Sequence, residues 1–264
     1  MSPPLLKWPG GKRKLLKHIL PLIPTPPNRY FEPFAGSAAV FLSLRPASAI
    51  LSDTNAELIN CYQQVRDYPE EVILRLATLK ADPDTYLEVR AKVPSEEVAR
   101  AARFIYLTTL SFNGIYRTNL KGDFNVPYGH RPHLHPKEPA LIRAISRALS
   151  VTELRCVDFA SALAEARQGD VVYLDPPYTV AHGNNGFLRY NAKIFSWADQ
   201  TRLAELSHQL VERGCQVVIS NADHPSILAL YEKFRVHRIE RQSSVAGRAE
   251  GRRRISECIF HSQG

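Results

Sequence analysis

Apolar runs bounded by turn residues recur seven times along the chain, at residues 29–31, 49–51, 151–154, 171–174, 216–219, 236–239 and 255–260. Runs this short, closed by Gly, Pro, Asp or Asn, predict strands. Helical spacing of apolar positions lies between most of them, at residues 56–65, 159–166 and 198–213. The last of these is opened by Ser196-Trp197-Ala198-Asp199, which fits a capping box. Alternation of strand and helix predicts an α/β sheet with helices on both faces. Only the polar stretch Gln242 to Arg254 separates the last two runs, so they are expected to pair as an antiparallel hairpin at the sheet edge. The sheet is then mixed and seven-stranded.

Residues 64–148 break this rhythm and read as helices plus one long loop. Ser95-Glu96-Glu97 starts a helix expected to reach Leu110, its acids well placed against the helix dipole. From Ser111 to Pro139 the composition turns to Asn, Gly, Pro, His and Arg. A loop of that length in a compact domain is functional or disordered. The expected organisation is a catalytic core formed by residues 1–63 and 149–264, interrupted by an inserted module at residues 64–148. A chain of 264 residues has room for both.

Composition adds limits. Hydrophobic residues make up 44% and charged residues 23%, a packed globule's balance that excludes wholesale disorder. Lys and Arg number 34 against 26 Asp and Glu, and the resulting charge of +8 favours a polyanionic partner without identifying it. Cys61, Cys156, Cys215 and Cys258 are dispersed, with no CxxC pair, and read as reduced thiols of an intracellular protein. No run approaches a membrane span, and the basic start from Met1 to Lys17 lacks the apolar core of a secretory signal. A cytoplasmic protein is expected.

Two fragments bear on ligand binding. Glu32-Pro33-Phe34-Ala35-Gly36-Ser37 joins the first strand to the apolar helix start at Ala38. A glycine there lets the backbone approach a ligand, and exposed N–H groups at a helix start favour an anionic or polar one; an ordinary turn glycine satisfies the same fragment. Asp53 ends the second strand 17 positions after Gly36. That is close to where nucleoside-binding α/β folds put an acid on ribose hydroxyls, although a helix N-cap reads equally well.

Asp175-Pro176-Pro177-Tyr178 carries more. It follows Val171 to Leu174 directly, and so stands at the carboxyl end of a strand, where open α/β sheets bind ligands. Two prolines supply no N–H donors and hold a stiff extended backbone, so the Pro176 carbonyl can stand beside the Asp175 carboxylate. Two such acceptors suit an exocyclic amine, and the Tyr178 ring can stack on the base that bears it. A rigid turn would account for the prolines but not for the acid, the aromatic and the strand end together.

At these residues the chain resembles the Dam-type, or D12 class, N6-adenine DNA methyltransferases, and the resemblance runs over nearly its whole length. The matching segments are Leu6 to Lys12, Glu32 to Gly36, Asp53, Phe112 to Arg117, Gly122 to Gly129 and Asp175 to Tyr178. The resemblance implies a class I S-adenosylmethionine-dependent fold, Rossmann-like, with an inserted, mainly helical target-recognition module. It implies further that Trp8, Lys12, Phe34, Gly36, Asp53, Asp158, Phe159 and Asp175 frame the S-adenosylmethionine pocket. Asp175, Pro176, Pro177 and Tyr178 would receive the target adenine. Many relatives have a second glycine in the cofactor turn where this chain has Ala38. That methyl restricts positive φ, and the turn is expected to survive it.

The chemistry of the residues agrees. Methyl transfer from a sulfonium to an aryl amine is a direct displacement that needs no nucleophile and no metal, only alignment and stabilisation of the charge developing on nitrogen. The tetrad contains no cysteine, which argues against C5-cytosine methylation through a thiolate. An adenine inside a duplex must be flipped out, so other residues must hold the DNA. Arg117, with Asn113 and Asn119, has the side chains that read guanine and adenine edges. Asn125 to Tyr128 offers apolar contact to a thymine methyl. By resemblance Lys7, Ile115 and Pro127 join this double-stranded DNA interface, with GATC the leading target; Arg131 is counted with them, although His130-Arg131 departs from the residues usual at that place. Arg252, Arg253 and Arg254 lie among glycines, as at a phosphate-binding hairpin tip or in a merely solvated run. His130, His133 and His135 are spaced by prolines and read as loop, so no metal site is expected. The expected enzyme is monomeric, has no obligatory protein partner, and works at the nucleoid of a prokaryote or phage host. The rivals are an amine methyltransferase of the same core acting on RNA or protein glutamine, and a DNA-binding protein with an inactive methylase core.

Overall fold

Four strands, mostly apolar and buried along nearly their whole length, account for the middle of the sheet. In the computed structural model, which describes residues 3–119, 121–130, 138–180, 195–242 and 254–262, β1 (Tyr30–Glu32), β2 (Ala49–Ser52) and β4 (Val171–Leu174) are buried at every position. β5 (Gln216–Ala222) is buried at all but its first residue. Runs without polar alternation are what strands covered on both faces need. β3 (Thr152–Arg155), β6 (Arg235–Gln242) and β7 (Arg254–His261) complete a seven-stranded sheet in the order β3-β2-β1-β4-β5-β7-β6. β2–β3, β1–β4 and β4–β5 pair in parallel, whereas β7 pairs antiparallel with both β5 and β6. The mixed sheet and its edge hairpin are as the sequence predicts. The expected first and third strands each stand one residue later in the structure.

The helices are α1 (Leu16–Ile19), α2 (Ala39–Leu44), α3 (Ala56–Asp67), α4 (Pro69–Ala77), α5 (Pro83–Ala91), α6 (Glu97–Leu110), α7 (Pro139–Leu149), α8 (Phe159–Leu163), α9 (Trp197–Glu212) and α10 (Pro225–Leu230). The α9 capping box is present, with Ser196 and Asp199 bonded reciprocally. α8 stops at Leu163, where the sequence predicts continuation to Ala166; Ala166 N–H instead closes a tighter turn on Leu163 C=O at 3.1 Å.

The chain forms two compact units, one of Met1–Leu16 and Ala35–Asp158, the other of Lys17–Phe34 and Phe159–Gly264. Within the first, α6 is the central helix, burying Phe104, Ile105, Tyr106, Leu107 and Leu110 among its neighbours. Within the second, Arg29 ties the starts of β1 and β4 together. Its Nη2 donates to Asp170 Oδ2 at 2.7 Å, and Val171 N–H donates to the Arg29 carbonyl at 2.9 Å. Asp170 is fully buried, a position a carboxylate keeps only when paired and hydrogen-bonded. This clamp fixes the strand whose far end carries Asp175.

Candidate active site

In the first unit, the turn after β1 is built around Gly36. Its φ is +46°, its N–H donates to Asp53 Oδ2 at 3.2 Å, and its carbonyl accepts from the Tyr62 hydroxyl at 2.7 Å. A Cβ on Gly36 would stand 2.8 Å from Trp8 Cδ1, so the indole lies directly on this backbone. Trp8 also stacks on Tyr116, with ring centroids 5.4 Å apart. Two residues on, Ala38 takes φ +50°, the left-handed conformation that an alanine tolerates at a cost. The turn therefore keeps its shape without the second glycine.

Asp53 Oδ1 accepts from Asn55 N–H at 3.0 Å, which leaves the capping of α3 to Asn55, whose side chain accepts from Leu58 N–H. That separates Asp53 from the N-cap role that its position also allowed. Burial raises the Asp53 carboxyl above the ordinary aspartate range, against the backbone N–H groups of Asn55, Gly36 and Thr54, which lower it. Each carboxylate oxygen still has a lone pair to offer after its backbone bond. Lys12, buried, donates to the Gly10 carbonyl at 2.8 Å. Asp158 closes this unit after β3. Close backbone approach at Gly36, an aromatic wall at Trp8 and a desolvated acid at Asp53 fit a nucleoside-bearing ligand.

In the second unit, Asp175 stands at the carboxyl end of β4 and is partly exposed, with Pro176 buried behind it. Tyr178 donates its hydroxyl to Glu257 Oε2 at 3.0 Å. Burial, with the charges of Glu257 and Asp175 adding to it, holds the Tyr178 phenol far above its usual range, so it stays a donor. Tyr178 is half-buried, and two fully buried phenols lie on the strands: Tyr30 donates to Glu32 Oε2 at 2.8 Å, and Tyr173 shares a hydrogen bond with Ser220 at 2.9 Å. Phe34, Phe159 and Phe195 form an aromatic cluster, with centroids 5.6–5.9 Å apart.

Among the described residues, three buried side-chain polar atoms have no partner, and two of them adjoin the candidate residues: Ser52 Oγ beside Asp53 and Thr179 Oγ1 after Tyr178. Native interiors leave few such atoms.

The segment expected as one long loop is more ordered than its composition indicates. Residues 112–114 form a 3-10 turn, and isolated bridges join Ser111 to Tyr128 and Thr118 to Phe124. Tyrosines pin the returning strand: Tyr86 donates to the Val126 carbonyl at 3.0 Å, and Tyr128 to the Ala81 carbonyl at 2.9 Å. Burial alternates from Phe124 to Tyr128, so Asn125 and Pro127 face outward together. Arg117, exposed, donates through Nε to Asn125 Oδ1 at 2.8 Å. Asn113 is exposed at φ +56° and Ile115 half-buried. Asn119 Oδ1 accepts from the N–H groups of Lys121 and Asp123, closing the turn. A Cβ on Gly114 would meet Lys7 Cδ at 2.6 Å, so the Lys7 stem lies on this segment. The structure thus brings Lys7, Asn113, Ile115, Arg117, Asn125 and Pro127 into one neighbourhood of the first unit. Arg131, His133, His135, Arg252 and Arg253 lie outside the described residues, as does the side chain of Arg254.

Sequence reasoning assigned no part to Glu257 or Thr179, and named Glu32 only as the start of the turn after the first strand. Glu257 sits within an apolar run, Ile255 to Phe260, and an acid inside a predicted buried strand was the available signal.

A Rossmann-like mixed sheet with an acid–Pro–Pro–aromatic tetrad at a strand end defines an α/β methyltransferase. Residues 8–245 match the family described as D12 class N6 adenine-specific DNA methyltransferase. The chain is 39% identical over 271 residues to the type II methyltransferase M1.LlaDCHI of Lactococcus lactis subsp. cremoris, covering 99% of this chain and 95% of that relative. It is 33% identical to the DNA adenine methylase of Serratia marcescens, covering 96% of each chain. To the DNA adenine methylase of Escherichia coli K12 it is 31% identical, covering 96% of this chain and 93% of that one. This chain belongs to the D12 class of N6 adenine-specific DNA methyltransferases. It is an enzyme that methylates DNA adenine from a methyl donor, and the RNA, protein and inactive-core rivals fall away.

Proposed function

We propose that the enzyme takes its methyl group from S-adenosylmethionine and delivers it to N6 of an adenine flipped out of duplex DNA, with Asp175 and the Pro176 carbonyl receiving the amine and Tyr178 stacking on the base. The observation that carries this reading is Asp175 at the end of a clamped, fully buried strand, followed by two prolines and a tyrosine whose hydroxyl is held at 3.0 Å. Two acceptors on the amine turn its lone pair toward the incoming carbon and stabilise the positive charge that builds on nitrogen. When bound, S-adenosylmethionine supplies an electrophilic methyl carbon on sulfur. Transfer to N6 would leave the thioether product, and the proton shed by the alkylated nitrogen would pass to solvent water while Asp175 and the Pro176 carbonyl hold the amine.

Trp8, Lys12, Phe34, Gly36, Asp53, Asp158 and Phe159 are assigned to the cofactor. Asp53 accepts from the ribose hydroxyls, for which its free lone pairs suit it. Residues 64–148 form the recognition module inserted in a core of residues 1–63 and 149–264. There Arg117, Asn113, Ile115, Asn125 and Pro127 read base edges, Lys7 and Arg131 also contact the DNA, and Asn119 shapes the turn. Arg252, Arg253 and Arg254 contact phosphates. The target is GATC, and the enzyme acts as a monomer in the cytoplasm of a bacterium or phage-infected cell. The test is incubation of the purified chain with S-adenosylmethionine and duplexes differing at single positions of GATC. Methylation confined to the intact site is expected, and equal methylation of all duplexes overturns the assignment.

A further inference from the structure

Glu257 is a buried acid that the reaction described above does not use. It lies on β7, opposite Ala222 of β5 and Ile239 of β6, so the strand bearing it is separated by β5 from the strand that presents Asp175. The residue is 1% exposed. A carboxylate in such a place is costly to keep, and a hydrophobic side chain of similar volume would be carried there at less cost. Its neighbour Cys258 projects to the opposite face of the sheet, as strand geometry requires, and plays no part in the contact. Among its contacts, the acid accepts the Tyr178 hydroxyl at 3.0 Å, from 79 positions away in the chain.

We infer that Glu257 is a positioning residue for methyl transfer: it holds the Tyr178 ring by its hydroxyl, so that the ring face stands ready when the adenine arrives. The inference rests on the stacking role proposed for Tyr178. An aromatic ring anchored only through its backbone and Cβ can turn about χ1 and χ2, and stacking then has to order it at each turnover. A hydrogen bond from the far end of the ring fixes χ1 in advance, and because the phenol O–H prefers the ring plane, the direction of its acceptor biases χ2 as well. The phenol stays protonated because buried surroundings and nearby carboxylates oppose its ionisation, so the anchor persists across the pH range in which the enzyme works.

The test is single-turnover methylation of a duplex at saturating S-adenosylmethionine, with cofactor affinity measured separately by calorimetry. Glu257→Ala and Tyr178→Phe are each expected to slow the chemical step by about 10- to 100-fold, the range for a misplaced positioning contact, with cofactor affinity unchanged. The double variant is expected to be no slower than the slower single one, because both remove the same bond. Glu257→Gln, which keeps an acceptor oxygen, is expected to recover the rate to within about threefold. Additive losses, or a Gln variant as slow as the Ala variant with weakened cofactor binding, would show a structural acid and overturn the inference. Should Glu257→Ala not fold, Tyr178→Phe decides: a normal rate with the hydroxyl gone overturns it. Tyr178→Ala separates the two levels. A normal rate there defeats the stacking reading itself, whereas a large loss with Glu257→Ala at full speed defeats only the role of Glu257.

Discussion

Replacing Gly36 by alanine tests the cofactor turn at its tightest point. The backbone there is held on both sides, with its N–H on Asp53 and its carbonyl on Tyr62. It therefore cannot rotate to a right-handed conformation without losing two hydrogen bonds. At φ +46° an alanine costs about 1–2 kcal/mol, offset in part by about 0.4–1 kcal/mol from the stiffer unfolded chain. The new methyl would lie 2.8 Å from Trp8 Cδ1, and the indole, stacked on Tyr116, must shift to admit it. Overpacking of this kind adds about 1–3 kcal/mol. The sum is a loss of about 1–5 kcal/mol in urea or thermal unfolding, with weakened S-adenosylmethionine binding in calorimetry because Trp8 is displaced. The control lies two residues away, where Ala38→Gly relieves the same left-handed strain but gives up a buried methyl and loosens the unfolded chain. Those effects nearly cancel, and a change under about 1 kcal/mol is expected. A Gly36→Ala protein with unaltered stability and cofactor affinity would refute the reasoning.

Asp53→Ala should weaken S-adenosylmethionine far more than DNA, measured by titrating each ligand alone. Because burial raises the Asp53 pKa in the fold, the ionised carboxylate is carried at a cost to stability. The fold gains from protonation below the ordinary aspartate pKa, and that gain is lost as pH rises through the raised value. Cofactor affinity should run the opposite way, falling as pH drops through the raised value, and an Asp53→Ala protein should lack this dependence. Arg117→Ala should cost about 1–3 kcal/mol at one base position and relax specificity there, whereas neutralising Arg252, Arg253 and Arg254 should weaken all sequences alike and flatten the salt dependence. A library of single-substitution sites at two salt concentrations separates these, and uniform loss in the Arg117 variant would contradict base reading.

Seven strands were legible because each is a short apolar run closed by turn residues, and Val171 to Leu174 was placed to the residue. The α9 start was legible because a capping box is local chemistry. Asp175 and Gly36 could be singled out because their conformational demands are written into neighbouring prolines and turns. Two kinds of feature were not legible. The ordering of residues 111–130 depends on Tyr86 and Tyr128 reaching carbonyls 40 and 47 positions away, which no local pattern records. The Tyr178–Glu257 bond depends on strand order and register, so an acid inside an apolar run could be noticed but not paired, whereas the Tyr30–Glu32 bond joins two positions on one face of β1 and lay within reach of a local reading.

The central claim is that Asp175 receives the amine of a flipped adenine, and analysis of the methylated base tests it most directly. Purified enzyme, S-adenosylmethionine and a GATC duplex should yield N6-methyladenine by nucleoside mass spectrometry, and Asp175→Ala should lower the rate at least about a hundredfold with the fold intact. Near-normal turnover by the Asp175 variant, or methyl-cytosine in place of N6-methyladenine, would contradict the account.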